Sequence, residues 1–151
     1  MCQLLTILYL CTGNSCRSQM AEGWTRALAA NGVRVGSAGI EAHGKNQRAM
    51  LVMSEKDVDI SAQESTVVTP AMLARADLVI TVCGHADELC PVLPPGTRKV
   101  HWPLPDPAKG TGSEGEIMAQ FRASRDDIER RVRKLLAEQS VLRDTKPEAT
   151  S

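Results

Sequence analysis

The chain predicts an α/β domain built on a mainly parallel sheet. Three observations carry this. Short apolar runs at 4–10 and 77–82 read as buried strands. Amphipathic helical stretches lie between and after such runs. The strand–helix alternation repeats along the chain, the arrangement that yields parallel pairing. A length of 151 residues suits a single domain with a real core.

The elements follow in order. Residues 4–10 are a continuous apolar run, so a buried strand is expected. Residues 18–30 are helical, with Ala21, Trp24 and Leu28 along one face and Asn31-Gly32 as the stop. Val33 to Ala38 gives a second strand, and 46–55 a helix with Ala49, Met50 and Met53 inward. Pro70 suits the first turn of a short helix. Asp77 to Val82 is the clearest later strand, and Lys99 to Trp102 a fourth. Ser113 with Glu116 forms a capping box, after which Ile117, Phe121, Ile128, Val132 and Leu135 recur at helical spacing. Arg130, Arg131, Arg133 and Lys134 read as a solvated face of that helix. Residues 1–139 make the expected domain, and 140–151 a polar, flexible tail.

Composition excludes several functions. Lys plus Arg and Asp plus Glu number 18 each, so no basic surplus points to nucleic acid or an anionic membrane. No apolar run approaches the roughly 20 residues of a membrane span. The first residues show no basic lead or cleavage pattern, so a cytoplasmic protein is expected. In that reducing setting, five cysteines point to catalytic, redox or metal roles rather than structural disulfides.

The most telling stretch is Cys11-Thr12-Gly13-Asn14-Ser15-Cys16-Arg17-Ser18, set between the first strand and the first helix. Backbone amides in such a loop form an anion nest, and the following helix adds its positive dipole end. Arg17 offers a planar fork for a tetrahedral oxyanion. The same field favours a thiolate at Cys11. Gly13 eases the tight backbone. Ser18 is placed to cap the helix and to reach Cys11, and Asn14 to brace the loop. The oxyanion-binding set is therefore Thr12, Gly13, Asn14, Ser15, Cys16 and Arg17.

Cys83 ends the strong strand, so it falls on the same sheet edge as Cys11. Cys90 follows seven residues on, ahead of Pro91, Pro94 and Pro95. Two unrelated small apolar residues, a metal pair and a redox pair are the available readings. The spacing differs from the short Cys-x2–4-Cys of zinc sites, which favours a redox pair. A continuous helix over 83–90 would separate the two Cα atoms by about 10.5 Å. A disulfide needs roughly 4.4–6.8 Å. A regular helix there cannot persist in both redox states, and Gly84 with the prolines can permit the change. Asp106 stands between Pro105 and Pro107 on a stiff loop. It is either a proton donor folded over the anion pocket or a simple turn former.

Taken together, residues 11–24, 37–41, 77–83, 90–95, 101–102 and 106–108 resemble the thioredoxin-coupled arsenate reductases. These share the fold of low-molecular-weight protein tyrosine phosphatases, and the likeness runs from about residue 4 to 138. The resemblance implies a four-stranded sheet flanked by helices and a three-cysteine relay. Cys11 would attack arsenate held by the loop and Arg17, with Asp106 as proton donor and Ser18 assisting the thiolate. Cys83 and then Cys90 would resolve the intermediate, and thioredoxin would reduce the final disulfide. Arsenic detoxification by a cytoplasmic monomer, with weak side phosphatase activity, is the implied role. Some members hold potassium through residues matching Asn14, Glu22 and Ser37 plus an acid. Thr66 replaces that acid here, so at most a weak potassium site at Asn14, Glu22 and Ser37 is expected, and no tightly bound cofactor. Cys2 reads as a spectator and Cys16 as structural. The rivals are a phosphatase of the same fold, which needs no Cys83/Cys90 pair, and a module binding a soft ion through Cys11, Cys83 and Cys90. Glutaredoxin or a small thiol are alternative reductants.

Overall fold

Strand β1 (Leu5–Cys11) runs through the middle of the molecule, and every residue from Ile7 to Cys11 is buried. The computed structural model describes residues 5–90 and 92–143. Helix α1 (Arg17–Leu28) returns the chain to β2 (Val33–Gly39). Helices α2 (Gln47–Ser54) and α3 (Pro70–Arg75) then lead to β3 (Leu78–Thr81). Helix α4 (Gly84–Leu89), β4 (Arg98–His101), a 3-10 turn (Pro107–Lys109) and α5 (Glu114–Glu138) complete the order.

The four strands lie in the order β2-β1-β3-β4, and every pairing is parallel. The expected "mainly parallel" sheet is thus wholly parallel. The chain leaves β1 toward β2 and comes back to place β3 on β1's other side. That reversal opens a crevice at the carboxyl ends of β1 and β3, where open α/β sheets bind ligands. Helix α1 packs against α2 and α5, while α3 and α4 pack against β1. Phe121, Ile128, Val132 and Leu136 of α5 are fully buried, and the burial of Phe121 alone contributes roughly 2–3 kcal/mol. Tyr9 is also fully buried, its hydroxyl 2.7 Å from Thr25 Oγ1.

Several expectations shift. Helix α1 begins at Arg17 with Cys16 at its cap position and no side-chain cap, so Ser18 lies inside the helix and does not cap it. In α2, Val52 joins Ala49 and Met53 in the core, while Met50 is only half-buried. Asn46 caps that helix by accepting from Ala49 N. Thr69 caps α3, with Pro70 in the first turn. The Ser113–Glu116 capping box is present on α5. Residues 141–143, expected in the tail, pair back on the end of α1: Ala30 N donates to Val141 O and Arg143 N to Leu28 O, each at 2.7 Å. Cys2 and residues 144–151 lie outside the described residues. Among the described residues, no helix is long and apolar enough to cross a membrane. Arg130 and Arg131 pair with Asp127, and Arg133 with Glu129, so those charges are matched on the helix's own surface.

Candidate active site

The loop after β1 turns its carbonyls outward. Cys11 O, Thr12 O, Gly13 O and Ser15 O accept from the amides of Ile40, Glu41, His43 and Asn46. Asn14 O accepts from Gln19 Nε2 at 3.1 Å, and Cys16 O from Met20 N at 2.9 Å. A planar trans peptide points its N–H opposite its C=O. Tying the carbonyls outward therefore leaves the loop amides turned toward the pocket, as an anion nest requires. The segment 40–46 is the loop's brace.

Two residues make this shape possible. Asn14 adopts φ 48°, a left-handed angle that asparagine tolerates better than most residues. It is fully buried, and Nδ2 donates to Ser18 Oγ and Ser37 Oγ, each at 2.9 Å, while Oδ1 accepts from Thr66 N. Gly39 lies under the loop: a Cβ there would come within 2.3 Å of Glu41 O and 2.7 Å of Asn14 N. Only glycine lets the backbone approach that closely.

Cys11 lies at the pocket floor, buried, with Sγ 3.0 Å from Ser18 Oγ. Arg17 projects from the first turn of α1. Its Nη1 donates to Leu104 O at 2.9 Å, and its Nη2 stands 3.5 Å from Asp106 Oδ2. Asp106 caps the 3-10 turn by accepting from Ala108 N at 3.0 Å, and it lines the same cavity as Cys11 and Arg17. The cavity is about 320 Å³ and is lined by Cys11, Thr12, Gly13, Ser15, Cys16, Arg17 and Asp106. His43, Ala108 and Lys109 complete its lining. His43 and Lys109 went unnamed in the sequence. No sequence signal marks either, and His43 stacks over Gly13 so closely that a Cβ there would meet its ring at 2.4 Å. Its Nε2 is 2.5 Å from Glu41 Oε1.

Cys83 Sγ stands 3.2 Å from Oγ1 of Thr12, a residue that lines the same pocket. Cys83 is the N-cap of α4, accepting from Ala86 N at 3.4 Å. Cys90 is at the helix's other end. Burial pushes the Cys90 thiol up from its ordinary pKa, with Lys99 pulling it down and Asp87 adding to the rise. Cys16 is buried, which also pushes its thiol up, so it is poorly suited to attack. All four cysteines 11, 16, 83 and 90 are free thiols. With thiols, residues 84–89 are helical, and Cys83 and Cys90 flank them in extended conformations.

A family model for the low molecular weight phosphotyrosine protein phosphatases matches residues 6–146. The chain belongs to that family. Within it, the chain is 50% identical over 129 residues to an arsenate reductase of Bacillus licheniformis, covering 85% of this chain and 93% of the relative. Among solved structures, an arsenate reductase in its phosphate-binding state superposes with a TM-score of 0.72 at 32% identity, over 89% of this chain and 98% of that one. A tyrosine phosphatase of Erwinia amylovora shares the fold at a TM-score of 0.76 and 24% identity, over 90% of this chain and 93% of that one.

Asn14, Glu22, Ser37 and Thr66, the positions that the resemblance matched to a potassium site, are bonded to one another and to Arg26. Glu22 supplies the one carboxylate, and its Oε2 is already paired with Arg26 Nη2 at 2.6 Å. Its Oε1 accepts from Ser37 Oγ at 2.6 Å. Thr66 reaches Asn14 through its backbone amide and brings no charge. A guanidinium thus stands where a cation would find its counter-charge. Among the described residues, no group of three or more His, Cys, Asp or Glu is placed to hold a metal ion.

Proposed function

We propose that this protein reduces arsenate to arsenite through a relay of Cys11, Cys83 and Cys90, and that thioredoxin regenerates it. The observation that supports this best is the Thr12–Cys83 contact of 3.2 Å, which holds a second thiol beside the pocket of the first. A phosphatase needs one cysteine; a reductase needs a neighbour to break the sulfur–arsenic bond.

The steps follow from that reading. The loop amides and Arg17 hold the arsenate oxygens, and the Cys11 thiolate attacks arsenic. Asp106 gives its proton to the departing oxygen, which leaves as water. The Cys83 thiolate then attacks Cys11 Sγ. The S–As electron pair stays on arsenic, which leaves as arsenite, and a Cys11–Cys83 disulfide remains. The Cys90 thiolate attacks Cys83 Sγ, Cys11 leaves as thiolate, and Cys83–Cys90 forms. Thioredoxin's dithiol returns the two electrons through a mixed disulfide. Ser18, 3.0 Å from Cys11, acts as a hydrogen-bonding partner of the thiolate. In this reading the protein is a cytoplasmic monomer serving arsenic detoxification, without a resident potassium ion. The same pocket gives weak hydrolysis of phosphate esters, because phosphate and arsenate are both tetrahedral oxyanions.

Cys90→Ser tests the relay. With arsenate and thioredoxin it should turn over about once per enzyme and accumulate a Cys11–Cys83 disulfide, identified by peptide mass mapping. Sustained turnover in that variant would refute the order of exchange.

A further inference from the structure

A polar cluster joins α4 to the sheet and has no part in the chemistry above. Asp87 sits midway along α4. Its Oδ1 accepts from Thr81 Oγ1 at 3.0 Å and pairs with Lys99 Nζ at 2.8 Å. His101 Nδ1 stands 2.9 Å from Thr81 Oγ1 and 4.0 Å from the same carboxylate oxygen. Lys99 and His101 are two apart on β4, hence on one side of the strand. One carboxylate of α4 is therefore gripped by the ends of β3 and β4. The pairing with Lys99 holds the Asp87 carboxyl below its usual range and the Lys99 ammonium above its own.

That grip falls where the relay must move the chain. Cys83 and Cys90 cap the two ends of α4, and Asp87 ties the ends together: its N–H donates to Cys83 O at 3.1 Å, and Cys90 N donates to its carbonyl at 3.4 Å. Six helical residues stand between the two cysteines, a rise of about 9 Å, beyond the roughly 4.4–6.8 Å that a disulfide allows. Bringing the sulfurs together breaks the backbone bonds at Asp87 and draws its side chain off β3 and β4.

We infer that Asp87, with Thr81 and Lys99, is a positioning latch that keeps α4 helical in the dithiol state and is released as Cys83–Cys90 forms. This rests on the relay reading. The exchange itself is balanced: the Cys83–Cys90 bond forms as Cys11–Cys83 breaks, and Cys11 departs as thiolate. Release also parts Lys99 from its carboxylate. The ammonium that pulls the Cys90 thiol down then acts without Asp87 opposing it, which favours the attacking thiolate.

The test is the redox equilibrium of the full chain and its Asp87→Asn variant in glutathione buffers. The Cys83–Cys90 disulfide is read by thiol trapping and mass spectrometry. Loss of the latch should favour the disulfide roughly three- to tenfold over the parent. An unchanged or opposite shift overturns it. Lys99→Met gives an independent reading should Asp87→Asn fail to fold. The double variant should shift no further than either single one; additive shifts would show that the two residues do not act as one latch. A parent that never forms Cys83–Cys90 overturns relay and latch together, whereas a parent that forms it alongside an unshifted variant overturns the latch alone.

Discussion

Two segments leave neighbouring strands at the same edge of the sheet and are built in opposite ways. Residues 11–17 follow β1 with every carbonyl from Cys11 to Cys16 occupied and Asn14 buried beneath them. Residues 83–90 follow β3 as a six-residue helix held to the sheet through Asp87. The first is locked because an oxyanion site works only if its donors are already aimed. The second is held through one side chain, as the proposed meeting of its two thiols would require. Glycine marks the contrast: Gly39 beneath the loop has no room for a Cβ, while a Cβ on Gly84 would meet nothing within 4 Å.

The contrast can be broken at several points. Cys11→Ser should remove arsenate reduction and phosphate ester hydrolysis together, each by roughly a thousandfold or more; survival of either activity would separate the pocket from its proposed nucleophile. Gly39→Ala touches no reacting atom, yet its Cβ must displace the loop backbone. It should destabilise the protein by about 2–3 kcal/mol in thermal or denaturant melts and collapse oxyanion binding. Gly84→Ala should do the reverse, stabilising the thiol form by about 0.4–1 kcal/mol and slowing formation of Cys83–Cys90 in stopped-flow trapping. Exchanging sodium for potassium should leave both turnover and melting temperature unchanged, since Arg26 already neutralises Glu22. A potassium-specific gain would show that the cation site is intact.

Much of this was legible in the chain. The strand–loop–helix order around Cys11 and the capping box at Ser113 depend on neighbouring residues, so local pattern finds them. The sheet edge shared by Cys11 and Cys83 follows from parallel topology. What stayed hidden depends on distant partners. His43 reaches the pocket because residues 40–46 hydrogen-bond along the loop, and no periodicity marks that. Arg26 lies one helical turn beyond Glu22, a spacing common on exposed helices, and only the burial of Glu22 makes it informative. Ser18 looked like a cap because its type suits one. The helix starts a residue earlier, which removes the capping role, while the expected reach to Cys11 is present. Leu142 pairs back onto Ala29, which a polar tail does not foretell.

The most direct test of the central claim is arsenate-dependent NADPH consumption with thioredoxin and thioredoxin reductase, run on the parent and on Cys83→Ser, beside a phosphatase assay on both. The account predicts NADPH consumption that requires arsenate, thioredoxin and Cys83, with phosphate ester hydrolysis largely kept in the variant. No NADPH consumption by the parent, together with brisk ester hydrolysis indifferent to Cys83→Ser, would contradict it.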